Sequence, residues 1–127
     1  MDIEHLGMNL AGAADMVAWY REHLGMPVHV EQTEPVYVAF FGEGPTLLEV
    51  YDNPEVPYFD PSALSPRAFH LAFHSRDLFG DRDRLVQAGA KAFADESDPD
   101  GHGLLMLVCP WGLPLQLAHR REPLIQP

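Results

Sequence analysis

At 127 residues the chain has the length of one ordinary domain, and with 46% apolar and 10% aromatic residues it falls among globular rather than disordered sequences. Nineteen acidic against eight basic residues leave a formal charge of −11, which repels a phosphate backbone and argues against a nucleic-acid partner. No apolar run approaches the ~20 residues that span a bilayer, the opening MDIEHLG lacks a basic region followed by an apolar core, and the single cysteine excludes an internal disulfide; a cytoplasmic protein with no membrane partner is expected.

In chain order, residues 3–10 (IEHLGMNL) alternate into a strand. Residues 12–24 follow as a helix, with Met16, Val17, Tyr20 and Leu24 at helical spacing and Gly25 as the stop. PVHVEQTE, VYVAFFGEG and TLLEVYD read as three strands separated by Pro or Gly turns. The stretch DNPEVPYFDPSALSPR, with its four prolines, reads as a linker or an ordered loop. A second cycle opens at residues 68–75 (AFHLAFHS). Asp77 is placed to cap a helix over 78–88, with Leu78, Leu85 and Val86 inward and Gly89 closing it. Strands around KAFADE, HGLLMLVCP and LPLQLAH complete the set.

Both halves therefore read β-α-β-β-β: module 1 over about 3–52, a linker over about 53–67, and module 2 over about 68–119 of a single 1–127 domain. The equivalence extends to single residues. IEHLGM parallels AFHLAF and aligns His5 with His70; HLGM parallels QAGA; TLLEVY parallels LPLQLA and aligns Glu49 with Gln116.

Strand alternation groups His5 with Gly7 and Asn9, Glu49 with Leu47 and Tyr51, and His70 with Ala72 and His74. The opposite faces, Leu6, Met8 and Leu10 or Phe69, Leu71 and Phe73, are apolar and suited to helices. A lone strand histidine is ordinarily a packed or rim residue. Four polar residues at repeat-equivalent positions point instead to a common role. Two imidazoles, a carboxylate and an amide oxygen form a workable donor set for one divalent cation, with Zn, Ni, Co, Mn or Fe all admitted.

Other polar residues are read more plainly. His74 lies about 13 Å from His70 along an extended strand, where a solvated histidine is the plainer reading and the pocket rim the functional one. DESDPDGHG has the acidity of a calcium loop, but position twelve from Glu96 is Leu107, so a turn between strands explains it better. Cys109 is expected to behave as a small apolar residue. Trp19 and Tyr20 read as helix packing, while Tyr51, Tyr58 and Phe59 are placed to wall a substrate pocket. His23, His29, His102 and His119 are expected to be exposed or terminal.

IEHLGMNLAGAADMVAWYREHLGM, together with FHLAFHSRDL and LVQAGAK, resembles the vicinal oxygen chelate superfamily, which includes glyoxalase I, bleomycin-resistance proteins and extradiol dioxygenases. The resemblance covers about residues 3–119. It implies an α+β fold of two tandem βαβββ modules forming a cupped mixed sheet, with the helices outside. It further implies a metal held by His5, Glu49, His70 and Gln116, a small-molecule substrate near Tyr51 and His74, and a homodimer whose sites lie within one chain or across the interface.

The ligand pattern departs from glyoxalase I, which usually carries glutamate at the position of Gln116; here acid and amide are exchanged between the modules. An amide cannot accept a proton at neutral pH, whereas Glu49 can. The expected chemistry is a glyoxalase-like lyase or isomerase reaction on a small carbonyl or vicinal-oxygen substrate. Glu49 is the base and the metal stabilises an enediolate. The few arginines show no clear cluster for glutathione carboxylates. Two alternatives stay open: an extradiol-type Fe(II) dioxygenase, and a metal-free small-molecule-binding protein.

Overall fold

The computed structural model describes residues 1–126. The chain divides into two compact units, Met1–Asp60 and the residues from Pro61 onward, so the proline-rich stretch is shared between them.

Unit 1 runs β1 (His5–Asn9), α1 (Ala13–Leu24), β2 (Val28–Gln32), β3 (Tyr37–Phe41) and β4 (Leu47–Asp52). The sheet order is β1-β4-β3-β2, with β1 parallel to β4 and the other pairs antiparallel. A parallel neighbour needs a crossover, and α1 begins that crossover. Its apolar stripe, Met16, Val17 and Tyr20, is buried against one face of the sheet, where Met8, Ala39, Phe41 and Val50 are buried in turn. The Tyr20 and Phe41 rings lie 6.2 Å apart across that seam. Each large side chain buried there contributes about 1.5–3 kcal/mol. The remaining face, which carries His5, Gly7, Phe40 and Glu49, is turned away from the helix.

Helix α1 ends at Gly25, whose φ of 66° lies in the left-handed region that glycine enters without strain. At its start no side chain of the N-cap residue serves as cap; the Gly12 N–H donates instead to Asp52 Oδ2 at 3.0 Å, a carboxylate supplied by the end of β4.

Unit 2 repeats the order: β5 (Leu71–His74), α2 (Leu78–Gln87), β6 (Lys91–Ser97), β7 (Gly103–Val108) and β8 (Pro114–His119), with sheet order β5-β8-β7-β6. A short 3-10 turn, Pro61–Ala63, precedes it. Leu78 and Leu85 of α2 are buried on the helix side, as are Leu105, Leu107, Leu115 and Leu117 of the sheet. Asp77 caps α2 as expected, its Oδ1 accepting from the Gly80 N–H at 3.1 Å.

Several expectations need correction. Val86 does not point inward; it is 42% exposed, because Leu78 and Leu85, two turns apart, define the buried stripe and Val86 swings about 100° past it. Likewise Leu6 is 39% exposed rather than covered by a helix. His102 and His119 are half-buried rather than exposed, because the hairpin brings their rings to 4.6 Å centroid separation. His23 is partly covered too, with its ring 5.2 Å from Trp19.

The acidic segment is the anticipated turn. Asp98 N–H donates to His102 O, Gly101 N–H to Asp98 O, and the Asp98 carboxylate accepts from the Asp100 and His102 amides. Cys109 and the Trp19–Tyr20 pair are buried, as expected of packing residues. Among the described residues no helix is long and apolar enough to cross a membrane.

Candidate metal centre

In unit 1 the parallel register pairs His5 with Leu47, Gly7 with Glu49 and Asn9 with Tyr51. Alternation, together with that register, then puts His5, Gly7 and Glu49 on one face. Phe40 on β3 pairs with Glu49 from the other side, and its ring stands edge-on to His5 at 5.3 Å. His5 Nε2 lies 3.7 Å from Glu49 Oε1, their side chains 35% and 22% exposed.

The second nitrogen of His5 settles its tautomer. Nδ1 lies 2.9 Å from Glu4 Oε1, and an ionised carboxylate only accepts, so Nδ1 carries the proton. Nε2 is the nitrogen that faces Glu49. At 3.7 Å the two atoms form no hydrogen bond, and their separation is slightly wider than the roughly 3.3–3.6 Å between neighbouring ligands of a tetrahedral zinc.

Unit 2 repeats the register between β5 and β8: Ala72 pairs with Gln116 as Gly7 pairs with Glu49. His70 sits immediately before β5, because residues 65–68 turn, with Ala68 N–H donating to Ser65 O at 2.8 Å. Its Nδ1 lies 3.1 Å from Pro66 O, a carbonyl that can only accept. The repeat-equivalent histidines therefore present the same nitrogen, Nε2, with Nδ1 held by an acceptor in each. Partners on the far nitrogen are what orient imidazole ligands in metal sites. Gln116 is partly buried between Ala72 and Met106, and His74 is exposed beside Ala118.

The structure thus brings His5 and Glu49 together in one unit and sets His70 and Gln116 at the matching positions of the other. Among the described residues no three His, Cys, Asp or Glu side chains converge at ligating spacing. Tyr51 is half-buried at the end of the unit 1 face, beside Asn9 and Val38.

Asn9 closes that end. Its Oδ1 accepts from Asn53 N–H at 2.8 Å, and its Nδ2 donates toward the carbonyls of Asn53, Val56 and Pro57 at 3.0, 3.0 and 3.2 Å. Phe59 N–H adds a backbone bond to Asn9 O at 2.8 Å. The loop is further tied by the Tyr58 hydroxyl, which donates to Asp52; that bond, with burial second, holds the Tyr58 phenol above its ordinary range.

Glu4, Phe40, the Pro66 carbonyl and the loop contacts of Asn9 escaped the sequence reading as parts of the site. Phe40 follows from the β3–β4 register alone, and Glu4 from its adjacency to His5. The loop partners of Asn9 lie more than forty positions away, with no local signal.

The chain is similar to several solved structures. A glyoxalase family protein from Enterococcus faecalis has 24% identity and a TM-score of 0.69, covering 93% of this chain and 97% of that one. The trypanothione-dependent glyoxalase I of Leishmania major has 22% identity and a TM-score of 0.73, covering 95% and 88%. An antibiotic-binding protein from a Streptomyces species has 18% identity and a TM-score of 0.68, covering 93% and 94%. At these identities the likeness speaks to the fold. No curated protein matches the chain. The sequence profile of one superfamily matches residues 2–107, from β1 through nearly all of β7, and the chain therefore belongs to the Glyoxalase/Bleomycin resistance protein/Dioxygenase superfamily.

Proposed function

We propose that the protein is a divalent-metal-dependent lyase or isomerase of the glyoxalase type, acting on a small carbonyl or vicinal-oxygen substrate. The observation that carries this reading is the shared state of His5 and His70. Each has its Nδ1 engaged by an acceptor, which leaves Nε2 as the nitrogen to turn toward a ligand, at the same place in the repeat. His5, Glu49, His70 and Gln116 are the residues that would hold the metal. A bound divalent cation of this kind supplies Lewis-acid polarisation of a carbonyl.

The chain's own contribution is proton transfer. Glu49 is the one carboxylate among the four proposed ligands, and as such the group able to take a proton from the carbon beside the carbonyl and return it to the neighbouring carbon. Gln116, an amide, orients and binds without titrating. Phe40 beside Glu49 limits water on one flank, and the loop held by Asn9 bounds the end where Tyr51 stands; His74 lies on the rim of unit 2. The proposal includes a homodimer in the cytoplasm.

Elemental analysis of metal-replete protein tests it: stoichiometric metal in the wild type and loss in both His5→Ala and His70→Ala are expected. Glu49→Gln should keep much of the metal yet abolish deuterium incorporation from solvent into substrate. Unchanged incorporation would overturn the assignment of the base. A second reading, a metal-free small-molecule binder, draws on the likeness to the antibiotic-binding protein and is favoured if no stoichiometric metal is found. Oxygen uptake with Fe(II) and a catechol panel would mark the dioxygenase alternative.

A further inference from the structure

Glycine in a strand interior weakens the strand unless something needs the space. Gly7 lies in the middle of β1, and its φ is outside the left-handed region, so the backbone does not call for glycine there. What occupies the space is the Glu49 carboxylate. A Cβ built on Gly7 would stand 2.9 Å from Glu49 Oε1 and would meet nothing else within 4 Å. Glu49, paired with Gly7 across the parallel register, thus lays its carboxylate over the bare Cα of the neighbouring strand, and from there it sits 3.7 Å from His5 Nε2. The repeat-equivalent residue, opposite the uncharged Gln116, is Ala72.

We propose that Gly7 is the positioning residue for Glu49: the missing side chain seats the carboxylate over β1, within reach of whatever His5 Nε2 binds. This rests on the metal reading above. A methyl at position 7 displaces the carboxylate rather than the strand, because Oε1 is the end of a flexible side chain and alanine suits the backbone there.

The test is cobalt(II) binding to metal-free protein, followed by calorimetry and by the visible bands that report coordination. Wild type, Gly7→Ala, Glu49→Ala and the double variant are compared. Gly7→Ala is expected to melt within a few degrees of wild type and to bind cobalt about 10–100-fold more weakly with altered bands, the range for disturbing a group that orients a ligand. In the Glu49→Ala background the same methyl should cost nothing further, since its effect runs through the carboxylate. Equal affinity and unchanged bands in Gly7→Ala would overturn the proposal while leaving the metal reading intact. Losses that multiply in the double variant would do the same, as would an unfolded Gly7→Ala protein. Wild-type protein that takes up no cobalt overturns the metal reading and the proposal together.

Discussion

Replacing Asn9 by alanine removes the side chain that ties β1 to the 53–57 loop, and the structure sets the cost. Asn9 is 5% exposed and stands near one donor and three acceptors. Its NH₂ has two protons for three carbonyls, so the effective number of bonds is about three: one accepted, two donated with one shared. At about 1 kcal/mol net each, the loss is about 3 kcal/mol, moderated by water reaching the exposed carbonyls of residues 56 and 57. With an unfolding entropy of about 2.1 cal/mol/K per residue, that corresponds to a fall of roughly 11 °C in melting temperature. Asn9→Asp should be no better, because its carboxylate faces the same three carbonyls with no proton to offer. Calorimetry and urea denaturation measure the loss. Hydrogen exchange should show the Asn53 and Phe59 amides losing protection. A fall of less than about 2 °C in Asn9→Ala, or an Asn9→Asp protein as stable as wild type, would refute the reasoning.

Leu85, 1% exposed on α2, should cost about 2–5 kcal/mol when cut to alanine, whereas exposed Val86 should stay within about 0.5 kcal/mol; equal losses by chemical denaturation would contradict the assigned helix stripe. Arg121 donates to Asp98 at 2.9 Å and, with the His102 amide second, holds that carboxyl below its ordinary range. A depressed carboxylate stabilises above its unfolded pKa and loses that contribution as pH falls through the folded one. Between pH 6 and pH 3, wild type should therefore lose more melting temperature than Arg121→Ala, and the difference should shrink in 1 M salt because the pair is exposed. Parallel curves for the two proteins would count against it.

The exchange of acid and amide between modules bears on both the chemistry and the packing. Glycine lies under the acid and alanine under the amide, although the strands pair in the same register. The difference between the half-sites is thus written in two positions of each module.

Local signals in the sequence were enough for the repeat, the element order, the two helices, the Asp77 cap and the acidic turn. Period-2 and period-3.6 patterns, glycine stops and cap residues act over a few neighbours, so they are legible without a fold. That His5 and Gly7 share one face of β1 was also legible, since alternation decides it once the strand is known. What only tertiary structure decided depends on contacts between distant segments. The parallel register put Glu49 over Gly7 rather than beside another residue. The prolines of the linker marked a loop, but the amide of Asn9, far back in β1, holds it in place. Helix pitch over a particular sheet turned Val86 out to solvent. None of these follows from a residue's own preferences, because each is a distance between groups that the chain separates and the fold brings together.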